Sequence, residues 1–374
     1  MKDNLLLRVS TWIVIAALLL GGAATGGQSK RKKSANAASA GEVVTGAAGA
    51  ALDAYLSDTE RFKDGFSGVA LVAKDGEILL KKGYGIADAA AGTPMRGDAL
   101  FDWCSVSKQF TAAAILRLEM KKKLNIDAPL SKFLKDVPKN KAKVTLRQLM
   151  NHTSGIANRE EGSFGAAESS DREALMRWFL GGEVKSEPGT NWEYSNSAYF
   201  FLAGVIEKVT GKTYERAMHE LVFAPAGLKD TWLIGEPKLD LARVPLDDRG
   251  KGVKFAYGTV MGWGYRGAGG VVATAEEMLK WDRALRGSKV LSEAAKKKYY
   301  EVGQNGYALG WFVSHSSGAE EYSHSGKTGK VVTYYLRWMT PDVVVALACN
   351  EEPAVRPDIT AKELATIARN AKAP

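Results

Sequence analysis

The C-terminal part of the chain constrains the fold most. Four β-rich runs crowd together there: "YALGWFVS" (307–314), "EYSHSGK" (321–327), "VVTYYLRWM" (331–339) and "VVVALACN" (343–350). Thr340-Pro341-Asp342 turns the last pair into a hairpin, because proline presets φ and aspartate bonds its own nearby backbone. Residues 307–314 and 320–327 match as strands around "HSSGA", leaving Thr328-Gly329-Lys330 as the turn before Val331. Near the other end, "FSGVALVAKDGEILLKK" (66–82) breaks at Asp75-Gly76, the strongest short hairpin signal. Strands early, helices in the middle and strands late predict an α/β fold of the α+β type. One antiparallel sheet is assembled from both chain ends and flanked by helices, with an inserted, mainly helical region over about 126–255.

The central helix is expected over 105–123. Val106, Phe110, Ala113, Leu116, Met120 and Leu124 recur at steps of three and four, while Ile115 and Leu118 add apolar surface elsewhere on it. A further helix follows Thr274, with Glu277 three residues on, and a closing helix fits 358–372. At the N-terminus, Lys2 and Arg8 precede an apolar stretch from Trp12 to Leu20 and then small residues. That pattern reads as a secretory signal over 1–24, too short to span a bilayer comfortably. Residues 25–48, rich in Gly, Ala, Ser and Lys, read as a flexible spacer, and 49–374 as the catalytic body. The expected location is periplasmic or secreted, with a membrane tether only if the N-terminal segment stays uncleaved.

The formal charge of +9 is spread over runs such as "KRKK" (30–33), "KKK" (121–123) and "KKK" (296–298), which read as solvated faces. No zinc-finger spacing, RNA-binding signature or aromatic-basic interleaving accompanies them, so a nucleic-acid partner is not expected. The two cysteines, Cys104 and Cys349, each lie in an apolar run and read as buried free thiols. The four histidines are scattered without metal-ligand spacing; no metal and no cofactor is expected. "GWGYRG" (262–267) satisfies Gly-x-Gly-x-x-Gly, but a loop follows it where a dinucleotide site needs a helix; it reads as the wall of a pocket. His152, in "NHTSG", reads as a turn or helix-end histidine holding the backbone.

Three stretches carry chemistry. In "WCSVSKQF" (103–110), Ser105 and Lys108 lie three positions apart at a helix start, where unpaired N–H groups and the dipole's positive end face the serine oxygen. A lysine kept from water loses charge more easily and can serve as a base, giving a nucleophile with its activator. Ser107 lacks a lysine three residues on and reads as structural. In "NWEYSNSAYF", Tyr194-Ser195-Asn196 occupies a loop opening a helix. A phenol beside an ammonium is expected to ionise more easily and to act as a general base, with Asn196 orienting the lysine or a substrate amide. In "SHSGKTGK" (323–330), a strand carries His324, Ser325 and Gly326, where Gly326 permits close approach of a substrate to the backbone.

Ser-x-x-Lys, Tyr-x-Asn and His-x-Gly, in that order, resemble the three motifs of serine β-lactamase-like and penicillin-binding proteins. The Tyr-x-Asn variant is similar to the branch holding class C β-lactamases, D-alanyl-D-alanine carboxypeptidases, D-aminopeptidases and certain esterases. "LNIDAPLSKFL" (124–134), "VTLRQLMNHTSGI" (144–156), "PGTNWEYSN" (188–196), "APAGLKDTW" (224–232) and "GAGGVVATAEEML" (267–279) extend the resemblance over roughly 50–370. It implies a cofactor-free serine hydrolase acting through an acyl-enzyme on small amides or esters: D-amino-acid peptides, β-lactams or short esters, with cell-wall peptides among the partners. Ser105 is then the nucleophile, Lys108 and Tyr194 share acid and base work, and Asn196 contacts Lys108 and the substrate. The N–H groups of Ser105 and Lys327 form an oxyanion hole. His324 stands where most β-lactamases have lysine, which weakens recognition of a substrate carboxylate near pH 7, with Lys327 or Lys330 as partial replacements for that charge. The contrasting expectation is a penicillin-binding-like binding or sensing protein with weak turnover.

Overall fold

The computed structural model describes residues 41–371 apart from 64, 160–171, 257, 260–261 and 317. The segment read as a signal (1–24) and most of the expected spacer lie outside the described residues. In chain order the first strands are β1 (Val43–Val44), β2 (Gly68–Lys74), β3 (Glu77–Tyr84), β4 (Ile86–Asp88), β5 (Thr93–Pro94) and β6 (Phe101–Asp102). They are followed by β7 (Thr231–Leu233), β8 (Val271–Ala273), β9 (Phe312–Ser316), β10 (Ala319–Thr328), β11 (Val331–Trp338) and β12 (Val343–Cys349).

Seven of these form one sheet in the order β1-β3-β2-β12-β11-β10-β9, every neighbouring pair antiparallel. The sheet is thus built from both chain ends, as the pattern predicts. Asp75 and Gly76 close the β2–β3 hairpin with φ of +50° and +85°, the pair of positive values a type I′ turn demands. A small sheet, β6-β8-β7, and the β4–β5 pair lie apart from it.

Every residue of β12 is buried, and all but the last of β2, because both faces of the sheet's centre are covered. On one face Ala70, Val72, Val345 and Leu347 pack with Leu52 and Leu56 of the Gly46–Leu56 helix and with Ala361, Leu364 and Ala368 of the Pro357–Asn370 helix. On the other, Val69, Leu71, Val344, Ala346 and Tyr335 join a larger core with Phe110 and Trp281, whose rings stack at 4.5 Å. Runs such as "VVVALAC" are apolar at every position for this reason: neither face of the strand meets water.

Several boundaries differ from the sequence reading. The spacer does not reach 48. Val43 and Val44 pair with Lys81 and Leu80, the Thr45 hydroxyl bonds the Ile78 carbonyl, and a helix begins at Gly46. The strand expected from 307 begins only at Phe312. Residues before it pack on the central helix instead: Gly310, at φ +84°, leaves its missing Cβ just 3.0 Å from the Lys108 carbonyl oxygen. The central helix runs Lys108–Met120, preceded by a 3₁₀ turn at Cys104–Ser107. Its residues from Lys108 to Leu116 are all buried, so it threads the core rather than lying on it. The largely helical insertion also contains β7, which pairs with β8.

Candidate active site

The 3₁₀ turn presents Ser105 at the head of the central helix. Just before it, Cys104 takes φ +49°, a conformation few non-glycine residues adopt. Asp102 holds that turn: one carboxylate oxygen accepts the N–H of Cys104 at 2.8 Å and that of Gly270 at 3.2 Å, and the other accepts the Tyr265 hydroxyl at 3.0 Å. Tyr265 in turn bonds Thr328, at the end of β10, at 2.6 Å. Burial pushes the Asp102 carboxyl up to about 6, outweighing the three donors, which pull it down. Ser107 points away into the core, where its hydroxyl accepts the Val271 N–H at 3.1 Å.

Lys108 is fully buried. Its Nζ lies 3.0 Å from Ser105 Oγ, 2.8 Å from Asn196 Oδ1 and 2.9 Å from the Ala268 carbonyl. The two acceptor-only oxygens fix the direction of two N–H bonds, and the remaining tetrahedral position faces the Ser105 hydroxyl. Gly267, next to Ala268, has no room for a side chain, since its Cβ would sit 2.3 Å from the Tyr199 carbonyl oxygen. The "GWGYRG" glycine pattern thus serves backbone approach in the wall of the site.

Tyr194 precedes the Asn196–Thr210 helix, whose N-cap Ser195 accepts the Ala198 N–H. Its phenol hydrogen-bonds Ser105, yet burial pushes it well above the usual tyrosine range. The expectation of a readily formed phenolate is therefore corrected. Lys108 Nζ lies over the ring face, 4.9 Å from the Tyr194 centroid and 5.4 Å from that of Tyr199, and desolvation of the phenol dominates. Burial thus favours the neutral phenol. Asn196 is placed by a bond from its own N–H to Asn158 Oδ1 at 2.9 Å.

On β10, His324 and Gly326 face this constellation. Gly326 sits so tightly on the Ser105 turn that a Cβ there would lie 2.7 Å from Cys104 Cβ and 2.8 Å from the Trp103 carbonyl oxygen. His324 is buried, and burial, reinforced by Lys108, pushes its imidazole down to about 3. Its Nδ1 lies 2.6 Å from the Ser325 carbonyl and its Nε2 2.9 Å from the Tyr307 hydroxyl. A carbonyl only accepts, so Nδ1 carries the proton and Nε2 accepts from Tyr307. Strand alternation carries the Ser325 side chain to the other face, beside Tyr334 and Arg356. Its expected contact with substrate is not formed by the hydroxyl; its carbonyl fixes His324 instead. Lys327 sends its ammonium outward to Glu352 at 2.8 Å, both side chains largely exposed. β9 pairs only with Ala319–Ser323 of β10, leaving the strand edge beyond it without a β9 partner.

Sequence reasoning did not single out Asp102, Tyr265, Tyr307 or Asn158, although Tyr265 lies within "GWGYRG". Both cysteines are buried free thiols, and no group of side chains with metal-holding geometry occurs among the described residues. His219 instead pairs with Glu236.

The chain is similar to several known proteins. The chain is 33% identical over 264 residues to PbpX, a penicillin-binding protein of Bacillus subtilis, covering 70% of this chain and 65% of PbpX. It is 30% identical over 304 residues to the esterase EstB of Burkholderia gladioli, covering 70% of this chain and 77% of EstB. Its fold matches that of the D-amino acid amidase of Ochrobactrum anthropi with a TM-score of 0.74 at 21% identity, over 87% of this chain and all of the amidase. The Beta-lactamase family description matches residues 33–369, and the chain belongs to that family.

Proposed function

We propose that this chain is a serine hydrolase that opens small amides or esters through an acyl-Ser105 intermediate. The observation that carries the reading is the contact of Lys108 Nζ with Ser105 Oγ at 3.0 Å, in a buried setting fixed by Asn196 and Ala268. In the first half-reaction Ser105 Oγ attacks the substrate carbonyl carbon and its proton passes to the Lys108 amine, which enters the step uncharged with its lone pair toward Ser105. Negative charge develops on the carbonyl oxygen, where the Ser105 and Lys327 N–H groups are assigned as donors. The bond to the leaving amine or alcohol then breaks. Tyr194, a neutral phenol, gives that group its proton and is reprotonated from Lys108. Water attacks the acyl-serine with the same groups working in reverse, releasing the acid and restoring Ser105.

The neutral, doubly bonded His324 supports a preference within this class. It offers neither a positive charge nor a spare ring N–H, so substrates with an uncharged amide or ester at that position fit better than those with a free carboxylate. The names of the similar EstB and D-amino acid amidase point to esters and D-amino-acid amides. D-amino-acid cell-wall peptides belong to the same substrate class, and the N-terminal leader pattern supports action in the periplasm or outside the cell. A fluorophosphonate probe should label the protein, and Ser105→Ala should abolish labelling while Ser107→Ala keeps it. Labelling that survives Ser105→Ala places the nucleophile elsewhere.

A further inference from the structure

Tyr194 is gripped from both sides by a single residue. The N–H of Glu193 donates to the His152 carbonyl at 2.9 Å, and the N–H of Ser195 donates to His152 Nδ1 at 3.1 Å. The ring of His152 lies 4.3 Å from that of Tyr194, centroid to centroid, and 4.7 Å from that of Tyr307. One residue thus fixes the backbone before the phenol, the backbone after it and the face of its ring.

His152 is itself rigidly placed. It follows the short Leu146–Met150 helix at φ +62°. The Met150 carbonyl accepts the Tyr199 hydroxyl at 2.7 Å, Thr153 N–H returns to the Gln148 carbonyl at 2.9 Å, and Gly189 N–H bonds the Thr153 carbonyl at 2.7 Å. Gly155 lets the neighbouring loop close in, since a Cβ there would stand 2.0 Å from the Ser186 carbonyl oxygen.

We propose that His152 is a positioning residue for Tyr194, acting through Nδ1 as an obligatory acceptor for the Ser195 N–H. An accepting Nδ1 puts the ring proton on Nε2, which is buried and has no hydrogen-bond partner among the described residues. A second proton would have to go onto Nδ1 and would break the bond to Ser195. Burial, with Lys108 and His324 nearby, pushes the imidazole well below its usual range, so the acceptor persists across the working pH. The inference rests on the acyl-Ser105 reading for its catalytic consequence, but the tautomer does not.

Two substitutions separate acceptor from ring. His152→Asn keeps an acceptor, because Asn Oδ1 is the same number of bonds from the backbone as His Nδ1, and asparagine tolerates the positive φ. His152→Phe keeps an aromatic face and loses the acceptor. The expected result is that His152→Phe lowers kcat about 10²-fold with KM changed less than about threefold, while His152→Asn stays within about tenfold of the parent. The reverse order, with Phe better tolerated than Asn, overturns the proposal. Nitrogen-15 NMR of histidine-labelled parent protein supplies a readout independent of turnover and of variant folding. The His152 Nδ1 resonance should remain that of an unprotonated nitrogen from pH 5 to 8, and a protonated Nδ1 overturns the assignment. If Ser105 proves not to be the labelled serine while Nδ1 stays unprotonated, the hydrolase reading fails and the clamp stands.

Discussion

Replacing Asp102 with asparagine should make the protein more stable at neutral pH, and the amount follows from the site. The Asp102 carboxyl is raised from 3.8 to about 6 in the folded protein. At about 1.36 kcal/mol per pKa unit, that gap corresponds to about 3 kcal/mol. The sign follows from linkage. A folded-state pKa above the unfolded value means that the unfolded state gives up its proton first. The fold therefore has its full stability from this group below pH 3.8 and loses it as pH rises through about 6. Asparagine has the same shape and no charge to desolvate. Its carbonyl oxygen can keep the N–H groups of Cys104 and Gly270, while its amide can donate to Tyr265, which then donates to Thr328. Urea unfolding of the parent and Asp102→Asn from pH 3.5 to 7.5 should show a stability difference that grows in favour of the variant by about 3 kcal/mol over that range. A difference that does not change with pH would refute the argument that desolvation governs this carboxyl.

Other substitutions probe the rest of the site. His324→Lys should restore a cation at the place where His324 is neutral and raise kcat/KM for a D-alanyl-D-alanine free acid relative to its amide by about tenfold; an unchanged ratio, measured with the matched pair, would remove His324 from specificity. Gly326→Ala should lose about 1–3 kcal/mol by overpacking and slow acylation, because its methyl meets Cys104 and the Trp103 carbonyl; a thermal melt and probe labelling together test this. Trp281→Ala, in the core beneath the nucleophile helix, should cost about 3–5 kcal/mol, read by urea unfolding.

The sheet was legible because its signals are local. Asp75-Gly76, Thr340-Pro341-Asp342 and the continuous apolar run of β12 each specify a hairpin or a doubly covered strand without knowledge of the rest of the chain. The reading of 307–311 as strand failed because alternation cannot reveal that Gly310 must lie against the Lys108 backbone. Among the candidate site residues, Ser105, Lys108, Tyr194 and Asn196 meet in space. Their spacing within motifs singled out the side chains that meet, but not their protonation. The expected phenolate ignored the desolvation of the buried phenol. Ser325 was grouped with its neighbours in a motif, although a period of two sends it to the opposite face. Asp102 also reaches Gly270 and Tyr265, and Tyr307 reaches His324, across stretches of chain that nothing in their immediate surroundings announces.

The placement of β2 beside β12 has a consequence for the order in which the protein can assemble. Val72 must wait for Val345, so the keystone strand leaves the ribosome long after its partner. Until it arrives, β2 has an open edge and lacks the Pro357–Asn370 helix over one of its faces, conditions under which strands recruit wrong partners. A chain arrested before β12 would hold the complete Ser-x-x-Lys and Tyr-x-Asn segments yet lack the middle of the platform on which they are arrayed.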